Sequence, residues 1–121
     1  MNKITTAVAI IGASLSIGLA APAVATPSED RAYAKAQDYL DMTAFSASGL
    51  IDQLEFEGFS TADAVDAVSK HTVDWNEQAA KKAADYLDMT SFSQSGLVEQ
   101  LEFEGFTPAQ AQYGASVAYN E

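Results

Sequence analysis

The sequence predicts an all-α chain: two tandem three-helix modules of helix-turn-helix type behind an N-terminal signal peptide. Three observations carry this expectation. Residues 32–69 recur at 79–116 with an offset of 47 residues, a period that corresponds to one supersecondary unit per repeat. Within each copy the apolar residues recur at helical spacing rather than in alternation. Ser, Thr, Asp and Gly stand between these stretches as start and stop signals for short helices.

The leader comes first. Lys3 is the only charge in the first twenty-eight residues, Ile4 to Ala20 is an apolar run, and Ala23-Val24-Ala25 is a small-x-small site. A basic start, an apolar middle and such a site make a secretory signal peptide over residues 1–25. The alternative is an uncleaved anchor, because some seventeen residues lie at the lower edge of what spans a bilayer. Either form delivers the remainder outside the cytoplasm. Cleavage after Ala25 leaves five basic residues against seventeen acidic ones.

The first module is expected over residues 28–73 and the second over 74–119. Asp38-Tyr39-Leu40-Asp41-Met42-Thr43 falls on Asp85-Tyr86-Leu87-Asp88-Met89-Thr90, and Gln53 through Phe59 falls on Gln100 through Phe106. All six phenylalanines occur in matched pairs, so most of the aromatic content belongs to the repeated unit.

In the first helix Ala32, Ala36, Tyr39, Leu40 and Thr43 form one stripe, repeated as Ala79, Ala83, Tyr86, Leu87 and Thr90. Asp74 with Glu77 three residues on is an N-cap and capping-box pattern. Glu77 with Lys81, and Lys81 with Asp85, have the spacing of i,i+4 ion pairs.

Ser46 and Ser93 are expected to cap second helices with the stripes Ala47, Leu50, Ile51, Leu54 and Leu97, Val98, Leu101. Gly58 and Gly105 should end them in the left-handed conformation. Phe59 and Phe106, one residue further, would then pack back on Leu54 and Leu101.

Ser60 and Thr107 restart the chain as third helices, the latter with Pro108 at its first position and Gln110 at its third. Their inward residues are small: Ala64, Ala67 and Val68, then Ala111, Gly114, Ala115 and Ala118. Close helix approach is expected there. Trp75 is expected to fill the seam between the modules or else to serve as a surface recognition residue.

The run Tyr-Leu-x-Met-x-x-Phe-Ser-x-Ser-Gly-Leu-[Ile/Val]-x-Gln-Leu-Glu-x-Glu-Gly-Phe-[Ser/Thr] occurs twice, with Val73-Asp74-Trp75-Asn76-Glu77-Gln78-Ala79 between the copies. It resembles the Ltp-like helix-turn-helix repeat of the host cell surface-exposed lipoproteins of Gram-positive bacteria and their phages. The likeness covers residues 30–118. It implies an α-helical protein outside the cell membrane that, in prophage-encoded members, acts in superinfection exclusion by blocking entry of another phage's DNA. Members are typically anchored by a lipidated cysteine after the signal peptide. This chain has no cysteine, which leaves a secreted or signal-anchored form.

Composition narrows the function further. Formal charge is −11, whereas nucleic-acid binding draws most of its affinity from Lys and Arg on phosphates. The third helices offer Asp63, Asp66 and Lys70 in one copy and Gln110, Gln112, Tyr113 and Ser116 in the other, so no nucleic-acid partner is expected. Membrane contact is expected only through an uncleaved leader.

The second helices concentrate the acid. On a helical wheel Asp52, Glu55 and Glu57 flank the apolar stripe while Phe56 falls opposite Leu54, and Glu99, Glu102, Glu104 and Phe103 repeat the pattern. One reading packs Phe56 and Phe103 between the modules or under the first helix. The other makes these eight residues a partner-binding set, the aromatics anchoring a basic segment whose charges meet the carboxylates. On the family likeness, phage tail proteins would be suitable partners.

His71 has Ala118 as its counterpart and reads as a satisfied structural histidine. Asp38 with Asp41, and Asp85 with Asp88, read as solvated helix faces. Glu55-x-Glu57-Gly58 lacks the alternating ligands of a calcium loop. There is no phosphate loop, catalytic triad or zinc spacing, so no enzyme, cofactor or metal is expected. The expectation is a non-enzymatic extracytoplasmic protein of superinfection exclusion; the alternative is an adhesive or structural envelope protein that contacts the wall or a host surface.

Overall fold

A computed structural model of the chain describes residues 27–120; the expected leader, residues 1–25, lies outside the described residues. Six helices follow one another: α1 (Pro27–Met42), α2 (Ala47–Phe56), α3 (Thr61–Lys70), α4 (Trp75–Met89), α5 (Gln94–Phe103) and α6 (Pro108–Tyr119). Among the described residues there is no strand.

Each helix start from α2 onward is capped as its sequence dictates. The side chains of Ser46, Ser60, Asp74, Ser93 and Thr107 each accept from the backbone N–H three residues on. Gln110 also accepts from the Thr107 N–H at 3.0 Å, completing a capping box. Such a cap contributes about 1 kcal/mol, which matters in helices of ten to sixteen residues.

The ends of α2 and α5 are Schellman motifs. Gly58 and Gly105 stand at φ +106° and +105°. The Phe59 N–H donates to the Leu54 carbonyl at 3.1 Å, and Phe106 repeats this on Leu101 at 3.2 Å.

Each module has its own core. Ala32, Ala36, Leu50, Leu54, Ala64, Ala67 and Val68 form the first, with Phe45, Ile51 and Phe59 packed against it. Ala79, Ala83, Leu97, Leu101, Phe106, Ala111 and Ala115 form the second. Among the described residues the largest fully buried side chains are the four leucines at 50, 54, 97 and 101. Alanine fills most of the rest, beside Val68 and Phe106, so the helices must come close. Where α6 crosses α4 they do: a Cβ added to Gly114 would lie 2.5 Å from the Ala79 carbonyl carbon.

Three local expectations are corrected. Asp74 caps α4 by accepting from the Glu77 N–H, but the Glu77 side chain returns no bond to close a capping box. Thr43 and Thr90 are exposed, because the helices end at Met42 and Met89 and the buried stripe stops one turn earlier. Glu77–Lys81 and Lys81–Asp85 do not pair, whereas Lys70 pairs with Asp66 at 3.0 Å. Exposed pairs gain little against the side-chain entropy they cost, so spacing alone does not secure them.

The modules meet through a small polar seam. Trp75, the first residue of α4, is half-buried against the first module's core. The Phe45 N–H donates to Gln78 Oε1 at 3.0 Å, Ser46 Oγ to the Glu104 carbonyl at 2.7 Å, and Ser48 Oγ to the Gly105 carbonyl at 3.0 Å. His71, buried at the end of α3, stacks on Tyr33 at 3.9 Å and bonds the Tyr33 carbonyl through Nε2 at 2.9 Å. It is a satisfied structural residue.

Two substitutions test this packing. Gly114→Ala is expected to lower stability by about 1–3 kcal/mol in urea denaturation, because its clash is with backbone and outweighs alanine's helix preference. Trp75→Ala is expected to cost about 1–3 kcal/mol, a half-buried fraction of the usual aromatic truncation. An unchanged midpoint for Trp75→Ala would mean that the modules fold independently.

Candidate functional site

The eight residues singled out in the sequence lie on the outer side of α2 and α5 and at their C-terminal ends. Leu50 and Leu54 point inward, and a helix rotates by 100° per residue, so Phe56 must point away from Leu54. The structure leaves Phe56 and Phe103 each 85% exposed. Packing between the modules or beneath the first helix, one of the two sequence expectations, is therefore overturned. The physical reason is the helix register: with Leu54 and Leu101 turned to the cores, Phe56 and Phe103 face outward, and Phe59 and Phe106 past the glycine turn are the aromatics that pack on the cores.

Asp52 lies four residues before Phe56, and Glu99 four before Phe103, the spacing that puts two side chains on one helix face. Both carboxylates are exposed. The remaining four are not equally open. Glu57 accepts from the Tyr39 hydroxyl and Glu104 from the Tyr86 hydroxyl. Gln53 and Gln100 each donate to those same tyrosine oxygens at 3.2 Å. Glu55 accepts from the Thr61 hydroxyl. Pro108 replaces Thr61 in the second copy, so Glu102 lacks that partner and is exposed.

The open surface is thus Asp52 with Phe56 on one module, and Glu99 and Glu102 with Phe103 on the other. Glu55, Glu57 and Glu104 serve the fold at the same time. Gly58 and Gly105 hold the left-handed turns, Phe59 and Trp75 pack against the first core, and Phe106 lies in the second.

The two buttressing tyrosines are held protonated. Tyr39 titrates above its ordinary value of 10.0, chiefly because its hydroxyl bonds the Glu57 carboxylate and secondarily through burial. Tyr86 is raised too, with burial the larger cause and Glu104 the second. A phenolate beside a carboxylate would be repelled, so the neutral phenol is favoured.

Sequence reasoning missed a second matched pair. Met42 and Met89, at the ends of α1 and α4, are each 72% exposed. Their signal was identity between the copies at positions outside the buried stripe. Tyr39–Glu57 and Tyr86–Glu104 were missed as well, although both pairs recur at a separation of eighteen residues.

On α3 the solvent side carries Asp63, which accepts from Ser28 Oγ at 2.6 Å, and Asp66 paired with Lys70. Among the described residues no group of three His, Asp or Glu side chains could hold a metal ion, and no helix is long and apolar enough to cross a membrane.

Comparison with known proteins gives two matches. Residues 28–70 and 74–116 match the family described as host cell surface-exposed lipoprotein. The fold matches the solved structure of Ltp, a superinfection exclusion protein from the Streptococcus thermophilus temperate phage TP-J34. Identity is 30% over 77% of this chain and 97% of that one, with a TM-score of 0.71. A comparison with curated proteins finds no match.

The tyrosine–carboxylate pairs predict an alkaline transition. A tyrosine whose folded-state pKa is raised stabilises the fold fully below its unfolded pKa, and that contribution is lost as pH rises through the folded one. Urea midpoints should therefore hold steady up to about pH 9 and fall above about pH 10. Tyr39→Phe with Tyr86→Phe should flatten that fall; an unaltered profile would show that the two bonds carry no stability.

Proposed function

This chain belongs to the host cell surface-exposed lipoprotein family, and we propose that it acts outside the cytoplasm in superinfection exclusion, holding a basic segment of an incoming phage's DNA-injection machinery. The observation that carries this reading is the duplicated exposed phenylalanine, each with an unpaired carboxylate on its own helix face. The leader pattern of residues 1–25 and the solved relative's role in exclusion support the setting.

The physical argument concerns charge and anchoring. A chain with formal charge −11 repels duplex DNA, so an effect on DNA entry is best exerted on the protein conduit. Burying an exposed phenylalanine against a partner contributes about 1.5–3 kcal/mol. Carboxylates around it select Lys and Arg and reject acidic surfaces. Two linked sites bind a long segment more tightly than either alone.

Expression in a sensitive host, with phage adsorption and DNA entry measured separately, tests the proposal. Adsorption should be normal and entry reduced. Phe56→Ala with Phe103→Ala should restore entry while changing stability by no more than about 0.5 kcal/mol, because both rings are solvent-exposed. Normal entry in cells displaying the wild-type chain would contradict the proposal, and altered adsorption with normal entry would favour an adhesive role.

A further inference from the structure

The seam between the modules is one-sided. The start of α2, with Ser46 and Ser48, meets the end of α5, with Glu104 and Gly105. Because the chain is duplicated, it carries each half of this seam twice and uses each half once. The unused halves are Ser93 and Ser95 at the start of α5, and Glu57 and Gly58 at the end of α2.

Burial records the difference. Ser46 is 2% exposed, whereas Ser93, its equivalent, is exposed. Phe106, beside the used end of α5, is 3% exposed, and Phe59, beside the unused end of α2, is half-buried. Glu104 is half-buried and Glu57 exposed. The residue types are the same at each of these positions, so the difference in burial comes from what surrounds them.

We infer that these two open ends join head to tail between copies of this chain. Ser93 Oγ of one copy donates to the Glu57 carbonyl of the next, and Ser95 Oγ to the Gly58 carbonyl. Unlike a two-fold contact, such a contact leaves one free end of each kind, so it propagates into short open chains.

The internal seam also sets the strength. Shifted by one repeat, Trp75 becomes Ser28 and Gln78 becomes Arg31, so the aromatic contact and the side-chain acceptor have no equivalent. The covalent connection is absent too. Association therefore falls at roughly millimolar concentration, the range a short tether supplies internally. Repulsion between acidic copies opposes it, and added salt strengthens it. Capture of a basic segment has the opposite salt dependence, so the two proposals fail separately.

The absence of cysteine makes the geometry testable in the two-module chain, residues 27–121. Ser95→Cys and Glu57→Cys variants are mixed at about 0.5 mM in high salt with a short bismaleimide. Cross-linked dimer is expected at several-fold higher yield in the mixture than in either variant alone. Equal yields, or a Ser95→Cys preparation that links best to itself, would overturn the inference.

Amide shifts of the unsubstituted chain provide a second readout. They should move with concentration at residues 57–59 and 93–95, and this movement should vanish in Ser95→Gln, whose longer side chain has no room at a contact as close as that of Ser48 with Gly105. Concentration-independent shifts up to about 1 mM would overturn the inference whatever the cross-linking shows.

Discussion

The left-handed glycine that closes each ten-residue middle helix governs the rest of the structure. By reversing the chain after Glu57 and Glu104 it sends Phe59 and Phe106 onto the core, while the register of the helix it ends leaves Phe56 and Phe103 outside. It also sets the preceding carboxylate where Tyr39 or Tyr86 can reach it. In the second module the same turn presents two backbone carbonyls to Ser46 and Ser48. Core closure, surface chemistry and module docking are consequences of one backbone conformation.

That economy suits a core made largely of alanine. A forty-seven-residue unit without disulfide or metal lies near the lower limit for an independent fold. Four leucines supply the large buried side chains, and close approach of helices supplies much of the remaining contact. Caps, glycine ends and the seam are therefore not minor additions. Each is comparable in size to a substantial fraction of the stability such a domain has.

Six helices, the caps of the last five and the glycine ends were legible in the sequence because each rests on residues within one turn of one another: Ser46 with Gly49, Thr107 with Gln110, Gly58 with Glu55. The seam was legible only at Trp75. Ser46 and Ser93 have the same capping role, and nothing within a turn of either shows that one is buried and the other open. The outward direction of Phe56 followed from the wheel, but whether another element covers it depends on where α1 and the second module lie. The division of the carboxylates into open and engaged groups was hidden for the same reason. Tyr39 reaches Glu57 across eighteen residues, and the change from Thr61 to Pro108 is what frees Glu102.

The proposed role uses what the repeat places on the surface, and the reach of the glycine turn can be measured without any partner. Both Gly58→Ala and Gly105→Ala force a left-handed residue to carry a side chain, at about 1–2 kcal/mol each. A Cβ at 58 meets nothing within 4 Å, whereas at 105 it meets Ser46 Oγ at 2.8 Å and the side chain of Ser48. Urea denaturation of the two variants is therefore predicted to show a loss in both and a clearly larger one for Gly105→Ala; equal losses, or none, would contradict the account that this turn both closes the helices and seats the modules.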